Sequence, residues 1–248
     1  MDVIGVIPAR YGSSRFEGKV LADILGKPMI QHVWEAAKKA RLLNDLIIAC
    51  DDERVAKVAK EFGANVTFTA KEHTSGSDRL TEVVNPLDVK IVVNIQADEP
   101  LIQPMTIDNL VRVLLDDSSV YMATVVKRIK SKEELQDPNV VKVVVDRQGY
   151  ALYFSRAGIP YFREEKKAPD TLICYKHVGI YAYTKDFLFT YTNLPASRLE
   201  KAEQLEQLRA LESGYRIKAI ETEYDIIGVD TPQDLELVKK IMAKEDKK

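Results

Sequence analysis

The chain has 248 residues, with 36 basic and 38 acidic side chains and a formal net charge of −2. This balance lacks the basic excess of a nucleic-acid-binding protein, and a hydrophobic content of 46% excludes a disordered chain. The N-terminal residues do not resemble a signal peptide, and no apolar run approaches the ~18–20 residues of a membrane span. We therefore expect a soluble, cytoplasmic protein without nucleic-acid partners or membrane insertion. Cys50 and Cys174 lie in apolar runs, which indicates two reduced core thiols.

Short apolar runs alternate with amphipathic segments in the first part of the chain. The pattern predicts strands at 3–7, 46–50, 66–69 and 91–95, and helices at 28–40, 53–62 and 106–115. Pro28 suits the first turn of a helix, and Gly63 suits the end of one. Strands that alternate with helices in this way predict an α/β protein with a doubly wound, mostly parallel sheet.

The middle of the chain contains strand-like runs with few helices between them. These runs predict strands at 140–145, 150–154 and 178–183, which we interpret as a mixed-sheet extension over roughly 121–183 within one domain of residues 1–248. The polar segment 163–170 is expected to be a mobile or interface loop. Helical patterning returns at 197–212, and a strand at 217–220 precedes a final helix that Asp230, Thr231 and Pro232 open.

The loop after the first strand combines small residues with positive charge. Gly12, Ser13 and Ser14 allow backbone N–H groups to approach phosphate oxygens. The cationic side chains suited to a triphosphate are Arg10, Arg15 and Lys19. The loop matches neither the dinucleotide-binding G-x-G-x-x-G pattern nor the G-K-[ST] of a P-loop. The alternative is a Gly/Ser turn with solvated cations.

This loop, together with the following Gly26-Lys27-Pro28-Met29-Ile30, resembles the nucleotidyltransferases that activate sugars. Six further motifs occur in order: His73-Thr74-Ser75-Gly76-Ser77-Asp78-Arg79, Asn94-Ile95-Gln96-Ala97-Asp98-Glu99-Pro100, Tyr153-Phe154-Ser155-Arg156, His177-Val178-Gly179-Ile180-Tyr181, Leu205-Glu206-Gln207-Leu208-Arg209 and Gly228-Val229-Asp230-Thr231-Pro232. Over nearly its whole length the chain thus resembles the 3-deoxy-D-manno-octulosonate (Kdo) cytidylyltransferases, or CMP-Kdo synthetases. It departs from them at Phe16-Glu17, where Leu-Pro is usual, and at Ala97, where Gly is usual.

The resemblance implies a Rossmann-like nucleotidyltransferase fold similar to the GT-A fold. It also implies a homodimer that uses Mg²⁺ to convert CTP and Kdo into CMP-Kdo and diphosphate, a step of lipopolysaccharide biosynthesis. Two alternatives stay open. The substrate could be another acidic sugar, such as sialic acid or an 8-amino variant of Kdo, or the chain could be a non-catalytic nucleotide-binding regulator on the same fold.

Two carboxylates are candidates for holding the metal. Asp98 follows the strand 91–95, so its side chain is expected at the edge of the sheet where ligands bind. Nucleotidyl transfer needs a hard divalent cation held by carboxylates and phosphate oxygens. The resemblance places ligands at Asp98 and Asp230. Taken without it, Asp98 could be a turn residue and Asp230 a helix cap.

The resemblance assigns the other site residues by motif. It implies that Lys19 and Arg15 act in catalysis with Asp98 and Asp230. Contacts to the nucleotide are implied for Ala9, Arg10, Gly12, Ser13, Ser14, Ser75, Gly76 and Arg79, and contacts to the sugar acid for Gln96, Arg156, His177, Glu206 and Gln207. A planar guanidinium suits the sugar carboxylate. The structural alternatives are a helix cap at Ser75 with a solvated Arg79, a structural His177, a solvated helix face at 206–207, and an ion pair of Arg156 at a dimer interface.

Overall fold

The computed structural model describes residues 2–12, 16–73, 75–163 and 174–245. The chain divides into two compact units: unit 1 comprises 1–111 and 225–248, and unit 2 comprises 112–224. The earlier expectation of one domain with a smaller lobe at 121–183 stays a prediction. Among the described residues, no helix is both long enough and apolar enough to cross a membrane.

Unit 1 contains a parallel sheet and the helices that connect its strands. The strands of this sheet are β1 Val3–Ala9, β4 Asp45–Cys50, β5 Asn65–Phe68 and β6 Ile91–Asn94, and β2 Asp23–Ile24 and β3 Lys27–Pro28 form a separate antiparallel pair. The helices of unit 1 are α1 Met29–Ala37, α2 Glu53–Glu61, α3 Gly76–Val84 and α9 Pro232–Glu245, with α4 Pro104–Asp116 running across the boundary in sequence. The predicted strands and helices of this part are confirmed, with small differences at their ends.

The order of the strands in unit 1 determines where a ligand can bind. Strand β1 pairs in parallel with β4 on one side and with β6 on the other, and β4 pairs in parallel with β5. The chain therefore winds outward from β1 in one direction and then returns to its other side. In open α/β sheets, ligands bind at the carboxyl ends of the strands at such a reversal. Here that point lies directly after Ala9 and Asn94.

Unit 2 contains a mixed sheet. Its elements are β7 Met122–Arg128, α5 Lys132–Gln136, β8 Lys142–Val145, β9 Ala151–Ser155, β10 Tyr175–Thr184, α6 Lys185–Asn193, α7 Arg198–Glu203, α8 Leu208–Glu212 and β11 Lys218–Glu221. Strand β11 is parallel to β7, whereas the pairs β7–β10, β10–β8 and β8–β9 are antiparallel. The predicted mixed sheet is confirmed, although β7, α5 and α6 were not predicted.

The helical patterning predicted over 197–212 is confirmed, but the segment is not one continuous helix. The segment forms two short helices, α7 and α8, because Gln204 takes a left-handed conformation with φ of 54° and ends α7. Leu205 and Leu208 then turn into the core of unit 2. A left-handed C-cap is usually Gly, so a glutamine there gave no signal of a helix end. Of the predicted loop 163–170, all but Arg163 lies outside the described residues.

Candidate active site

A cleft opens in unit 1 at the carboxyl ends of β1 and β6. Its volume is about 330 Å³, and the predicted site residues that line it are Arg10, Gly12, Lys19, Gly76, Gln96, Asp98 and Asp230. These residues come from five separate segments of the chain, and the reversal in strand order brings them to one place. The predicted residues Ser13, Ser14 and Arg15 lie outside the described residues.

The ammonium of Lys19 joins both predicted metal ligands. Its Nζ donates hydrogen bonds to Asp98 Oδ2 at 2.5 Å, to Asp230 Oδ1 at 3.0 Å and to the carbonyl oxygen of Val229 at 3.1 Å. The Lys19 side chain is only 14% exposed. Burial alone would lower the pKa of Lys19, but the carboxylates of Asp98 and Asp230 outweigh burial and raise it. The lysine is therefore charged at neutral pH.

Backbone contacts hold the two carboxylates close together. The N–H of Val229 donates to the carbonyl of Asp98 at 2.8 Å, which ties the segment before α9 to the segment after β6. Val229 is fully buried in a core cluster with Ile24, Met29 and Leu101, and Phe16 packs against that cluster. Phe16, which stands where the related enzymes usually have Leu, therefore still packs an apolar side chain into this cluster three residues before Lys19.

Thr231, rather than Asp230, caps the last helix. The Thr231 hydroxyl accepts the N–H of Asp234 at 3.2 Å, and the Asp234 carboxylate accepts the N–H of Thr231 at 2.8 Å. This reciprocal pair is a capping box. The predicted alternative in which Asp230 caps the helix is therefore wrong, and its carboxylate faces Lys19 instead.

The carboxylate pair supplies ligands of the kind that Mg²⁺ prefers. Within the described ranges, no three His, Cys, Asp or Glu side chains form a group that could hold a metal ion. Mg²⁺, however, is usually held by one or two carboxylates together with phosphate oxygens and water. Asp98 and Asp230 supply two hard anionic oxygens, both within 3.0 Å of one positive charge. The donor set fits a dication that binds together with a phosphorylated substrate.

The predicted nucleotide contacts after β5 have structural partners. Ser75 caps α3, and its hydroxyl accepts the N–H of Asp78 at 3.1 Å. Arg79 has no exposed surface; its guanidinium pairs with Asp51 at 2.8 Å and also donates to the hydroxyl of Thr69. The alternative of a solvated Arg79 is wrong, and its contact to a nucleotide stays a prediction. Ala9 is buried at the end of β1.

Arg156 is held rigidly in unit 2. Its Nε donates to the carbonyl of Glu203 at 2.8 Å and its Nη1 to the carbonyl of Pro138 at 3.1 Å. The Glu203 carboxylate also accepts the backbone N–H of Arg156 at 2.9 Å and the hydroxyl of Ser155 at 2.6 Å. Burial alone would raise the pKa of Glu203, but these hydrogen bonds lower it. In the described part of the chain, Nη2 of Arg156 makes no hydrogen bond.

His177 is a neutral side chain in the same unit. Its ring packs against Phe154 and Tyr181, with centroids 5.2 and 5.3 Å away, and its burial lowers the pKa of His177 to about 3. The hydroxyl of Thr124 lies 2.9 Å from Nε2, and it is also within hydrogen-bond distance of the carbonyls of Ile180, at 2.9 Å, and Val178, at 3.3 Å. In the tautomer in which Thr124 donates to a carbonyl, Nε2 carries the imidazole proton and Nδ1 is a hydrogen-bond acceptor.

Glu206 and Gln207 lie in the turn between α7 and α8. Gln207 is 5% exposed, and its Nε2 has no hydrogen-bond partner among the residues that the structure describes. Glu206 is partly buried. The alternative of a solvated helix face is wrong for this pair. A buried amide without a partner is costly, and a ligand hydroxyl would remove that cost.

Comparison with known proteins identifies the family of this chain. Residues 4–220 match the family model described as "Cytidylyltransferase". The chain belongs to the cytidylyltransferase family. Similar proteins include the 3-deoxy-manno-octulosonate cytidylyltransferases of Geotalea uraniireducens, with 52% identity over 96% of this chain and 98% of that protein, and of Solibacter usitatus, with 54% identity over 96% and 94%. A solved structure of a CMP:2-keto-3-deoxy-manno-octonic acid synthetase complexed with CTP has 44% identity and a TM-score of 0.92, covering 99% of this chain and all of that one.

Sequence reasoning missed several residues that support the site of this cytidylyltransferase. Glu203 and Thr124 hold predicted sugar residues, and Asp51 pairs with Arg79. Asp51 follows β4 directly, at the edge of the sheet where ligands bind, so its position in the sequence could have predicted a role near the site. Glu203 and Thr124 had none, because a helix glutamate and a strand threonine are common on any surface.

Proposed function

We propose that the chain transfers the cytidylyl group of CTP to Kdo, giving CMP-Kdo and diphosphate. The observation that carries this proposal is the convergence of Lys19, Asp98 and Asp230 in the cleft of unit 1. The names of the relatives support the choice of CTP and Kdo. The anomeric hydroxyl of the sugar attacks the α-phosphorus of CTP in line, and diphosphate leaves from the opposite side.

Catalysis in this proposal rests on positioning and on charge. Arg10, Arg15 and Lys19 hold the triphosphate, and their positive charges follow the negative charge that moves toward the leaving diphosphate. Asp98 and Asp230 would hold Mg²⁺, which when bound neutralises charge on the α-phosphate and lowers the pKa of the attacking hydroxyl. No side chain is assigned as an obligatory general base.

Unit 2 supplies recognition of the sugar acid in this proposal. Arg156 keeps a terminal nitrogen for the carboxylate, and its other nitrogens are fixed by backbone carbonyls. The neutral His177 accepts a hydrogen bond from a sugar hydroxyl at Nδ1. Gln207 donates to another hydroxyl through its buried amide. Gln96 in the cleft and Glu206 complete the proposed set of sugar ligands.

The proposal also includes a homodimer in the cytoplasm, where its products serve lipopolysaccharide biosynthesis. Unit 2 has exposed apolar side chains that a second copy could cover, since Leu152 is 61% and Tyr161 is 89% exposed. Sedimentation of the purified chain tests this part. A single species of monomer mass at micromolar concentration would remove the dimer from the proposal.

Release of diphosphate from CTP, with Mg²⁺ and a panel of sugar acids, tests the reaction. We expect release with Kdo and little with sialic acid or an 8-amino Kdo variant. A preference for one of those sugars would keep the reaction class and change the substrate. Tight CTP binding without release for any sugar would favour the nucleotide-binding regulator.

A further inference from the structure

Tyr11 and Gly18 close the loop that precedes Lys19. The N–H of Gly18 donates to the carbonyl of Tyr11 at 2.9 Å. Gly18 has a φ of 66°, and a Cβ atom there would lie 3.1 Å from the Tyr11 ring. Glycine is needed both for the left-handed turn and for the close approach of the ring. Because the turn Lys19–Leu21 begins at Gly18, the position of this contact sets the starting point of the Lys19 side chain.

Arg54 on α2 holds the ring of Tyr11. The guanidinium carbon lies 3.4 Å from the ring centroid, in the range of a cation–π contact. Asp52 fixes the plane of the guanidinium through bonds from Nε at 2.9 Å and from Nη2 at 2.8 Å. The Asp52 carboxylate also caps α2 by accepting the N–H of Arg54 at 2.9 Å. These bonds lower the pKa of Asp52 to about 2, so the pair is charged throughout the physiological range.

We infer that Tyr11 and Arg54 are positioning residues that set where the ammonium of Lys19 meets the phosphates. The chain of contacts runs from helix α2 through Arg54, Tyr11 and Gly18 to the backbone of Lys19. Neither positioning side chain needs to touch a substrate. The inference rests on the proposed function, because the contact of Lys19 with the phosphates of CTP belongs to it.

The test compares Tyr11→Leu, Arg54→Leu and the double variant with the conservative Tyr11→Phe. We expect each leucine variant to lower kcat/KM for CTP by about 10- to 100-fold, because small misplacements of a catalytic group have effects of that size. The KM for the sugar should stay unchanged, and Tyr11→Phe should restore most of the loss because it keeps the ring. The double variant should lose no more activity than the more impaired single variant, because both substitutions break the same chain of contacts.

Unit 2 offers a matched control for these variants. The Arg216 guanidinium carbon lies 3.5 Å from the centroid of Tyr150, and Asp146 pairs with Arg216 at 3.0 Å. Arg216→Leu removes the same kind of contact far along the chain from Lys19, and it should leave CTP kinetics unchanged. The Arg54 side chain is 60% exposed, so Arg54→Leu can fold even if Tyr11→Leu does not.

Several results would overturn the inference. Lower melting temperatures with unchanged CTP kinetics would make Tyr11 and Arg54 merely structural. Additive effects in the double variant, or an equal loss in Arg216→Leu, would also overturn it. If the wild-type chain binds CTP in calorimetry but joins it to no sugar, the proposed function fails instead. Weaker CTP binding by Tyr11→Leu than by Tyr11→Phe would then still support the positioning role, and equal binding would refute it.

Discussion

Lys19 and Arg79 in unit 1 pair with carboxylates, whereas Lys142 and Arg156 in unit 2 donate to backbone carbonyls. Lys142 has no exposed surface, and its Nζ lies 2.6 Å from the carbonyl of Asp137 and 2.5 Å from that of Val140. Burial lowers the pKa of Lys142. An ion pair can exchange partners when a charged ligand arrives. The carbonyls that bind Lys142 and Arg156 carry no net charge, and the carboxylate that acts on both cations, Glu203, makes hydrogen bonds to the Ser155 hydroxyl and the Arg156 backbone N–H.

The difference suits the two substrates proposed for the two units. A triphosphate and a metal ion bring charges of both signs, so a cleft with carboxylates and an ammonium can match both. A sugar acid brings one carboxylate and neutral hydroxyls, which a fixed guanidinium and neutral polar groups can match. Substitutions in each unit should therefore affect different kinetic parameters.

Asp98→Asn should have the largest effect. Loss of one anionic oxygen weakens the carboxylate pair that would hold Mg²⁺, and we expect kcat to fall by about 100-fold or more. Asp230→Asn should behave in the same way, and the exposed Asp116→Asn serves as the control. Diphosphate release at saturating substrates measures the effect, with circular dichroism to show that the variants fold. Wild-type kcat in Asp98→Asn at ordinary magnesium levels would show that the metal assignment is wrong.

Arg156→Ala should affect the sugar rather than the nucleotide. We expect a loss of ~1.5–3 kcal/mol in sugar binding, the range for a hydrogen bond to a charged group. Arg156→Lys should also raise the KM for Kdo, because an ammonium cannot bind the carbonyls of Glu203 and Pro138 and at the same time present a nitrogen in the position of Nη2. Steady-state kinetics with each substrate varied in turn, together with sedimentation, separates the possibilities. A changed oligomer or lower stability with an unchanged KM for Kdo would assign Arg156 to an interface.

His177 should make the stability of the chain depend on pH. Its pKa is about 3 in the folded chain and about 6.5 when unfolded, so the unfolded state binds the proton more tightly. The free energy of unfolding should therefore fall as the pH decreases from about 6.5 toward 3, by up to a few kcal/mol at ~1.4 kcal/mol per pKa unit. Urea unfolding at several pH values measures this slope. His177→Gln should flatten it, and an unchanged slope would contradict the assigned burial of the imidazole.

The smallest effects are expected for Ser75→Ala and Ser197→Ala. The two variants can be compared directly because each serine caps a helix, one in each unit. Ser75 pairs reciprocally with Asp78, and Ser197 with Glu200. Loss of either hydroxyl should cost ~1 kcal/mol of stability. If Ser75 also contacts the nucleotide, only Ser75→Ala should raise the KM for CTP, beyond what the shared loss of stability explains. Equal CTP kinetics in both variants would leave Ser75 as a cap alone.

The sequence predicted unit 1 more completely than unit 2. Alternation of apolar strands with amphipathic helices predicted its sheet, and strand ends then predicted where Asp98 lies. In unit 2, α6 is rich in Phe, Tyr and Thr, which favour strands, and a left-handed Gln204 ends a helix without a recognisable signal. Local patterns determine regular elements, whereas these two features depend on packing within the folded unit.

The site residues also divide into features that local sequence patterns predict and features that depend on the folded structure. The sequence placed charged residues at the edge of the parallel sheet, but it could not predict that Lys19 joins Asp98 to Asp230 or that Arg79 is fully buried. Those contacts join segments far apart in the chain. Ser75 and Thr231 both cap helices, and a hydroxyl residue that caps a helix has the same sequence pattern as one that binds a ligand. The sequence alone therefore cannot separate the two roles.

The chain has one tryptophan, and its surroundings give the two units separate optical signals. Trp34 lies in α1 of unit 1, is 8% exposed, and contacts the ring of Phe62 and the ammonium of Lys38. All the tyrosines except Tyr11 belong to unit 2. Fluorescence excited at the red edge, where tyrosine absorbs little, therefore reports on unit 1 alone. Near-ultraviolet circular dichroism of the tyrosines reports mainly on unit 2, so a single urea titration can follow both units without any label.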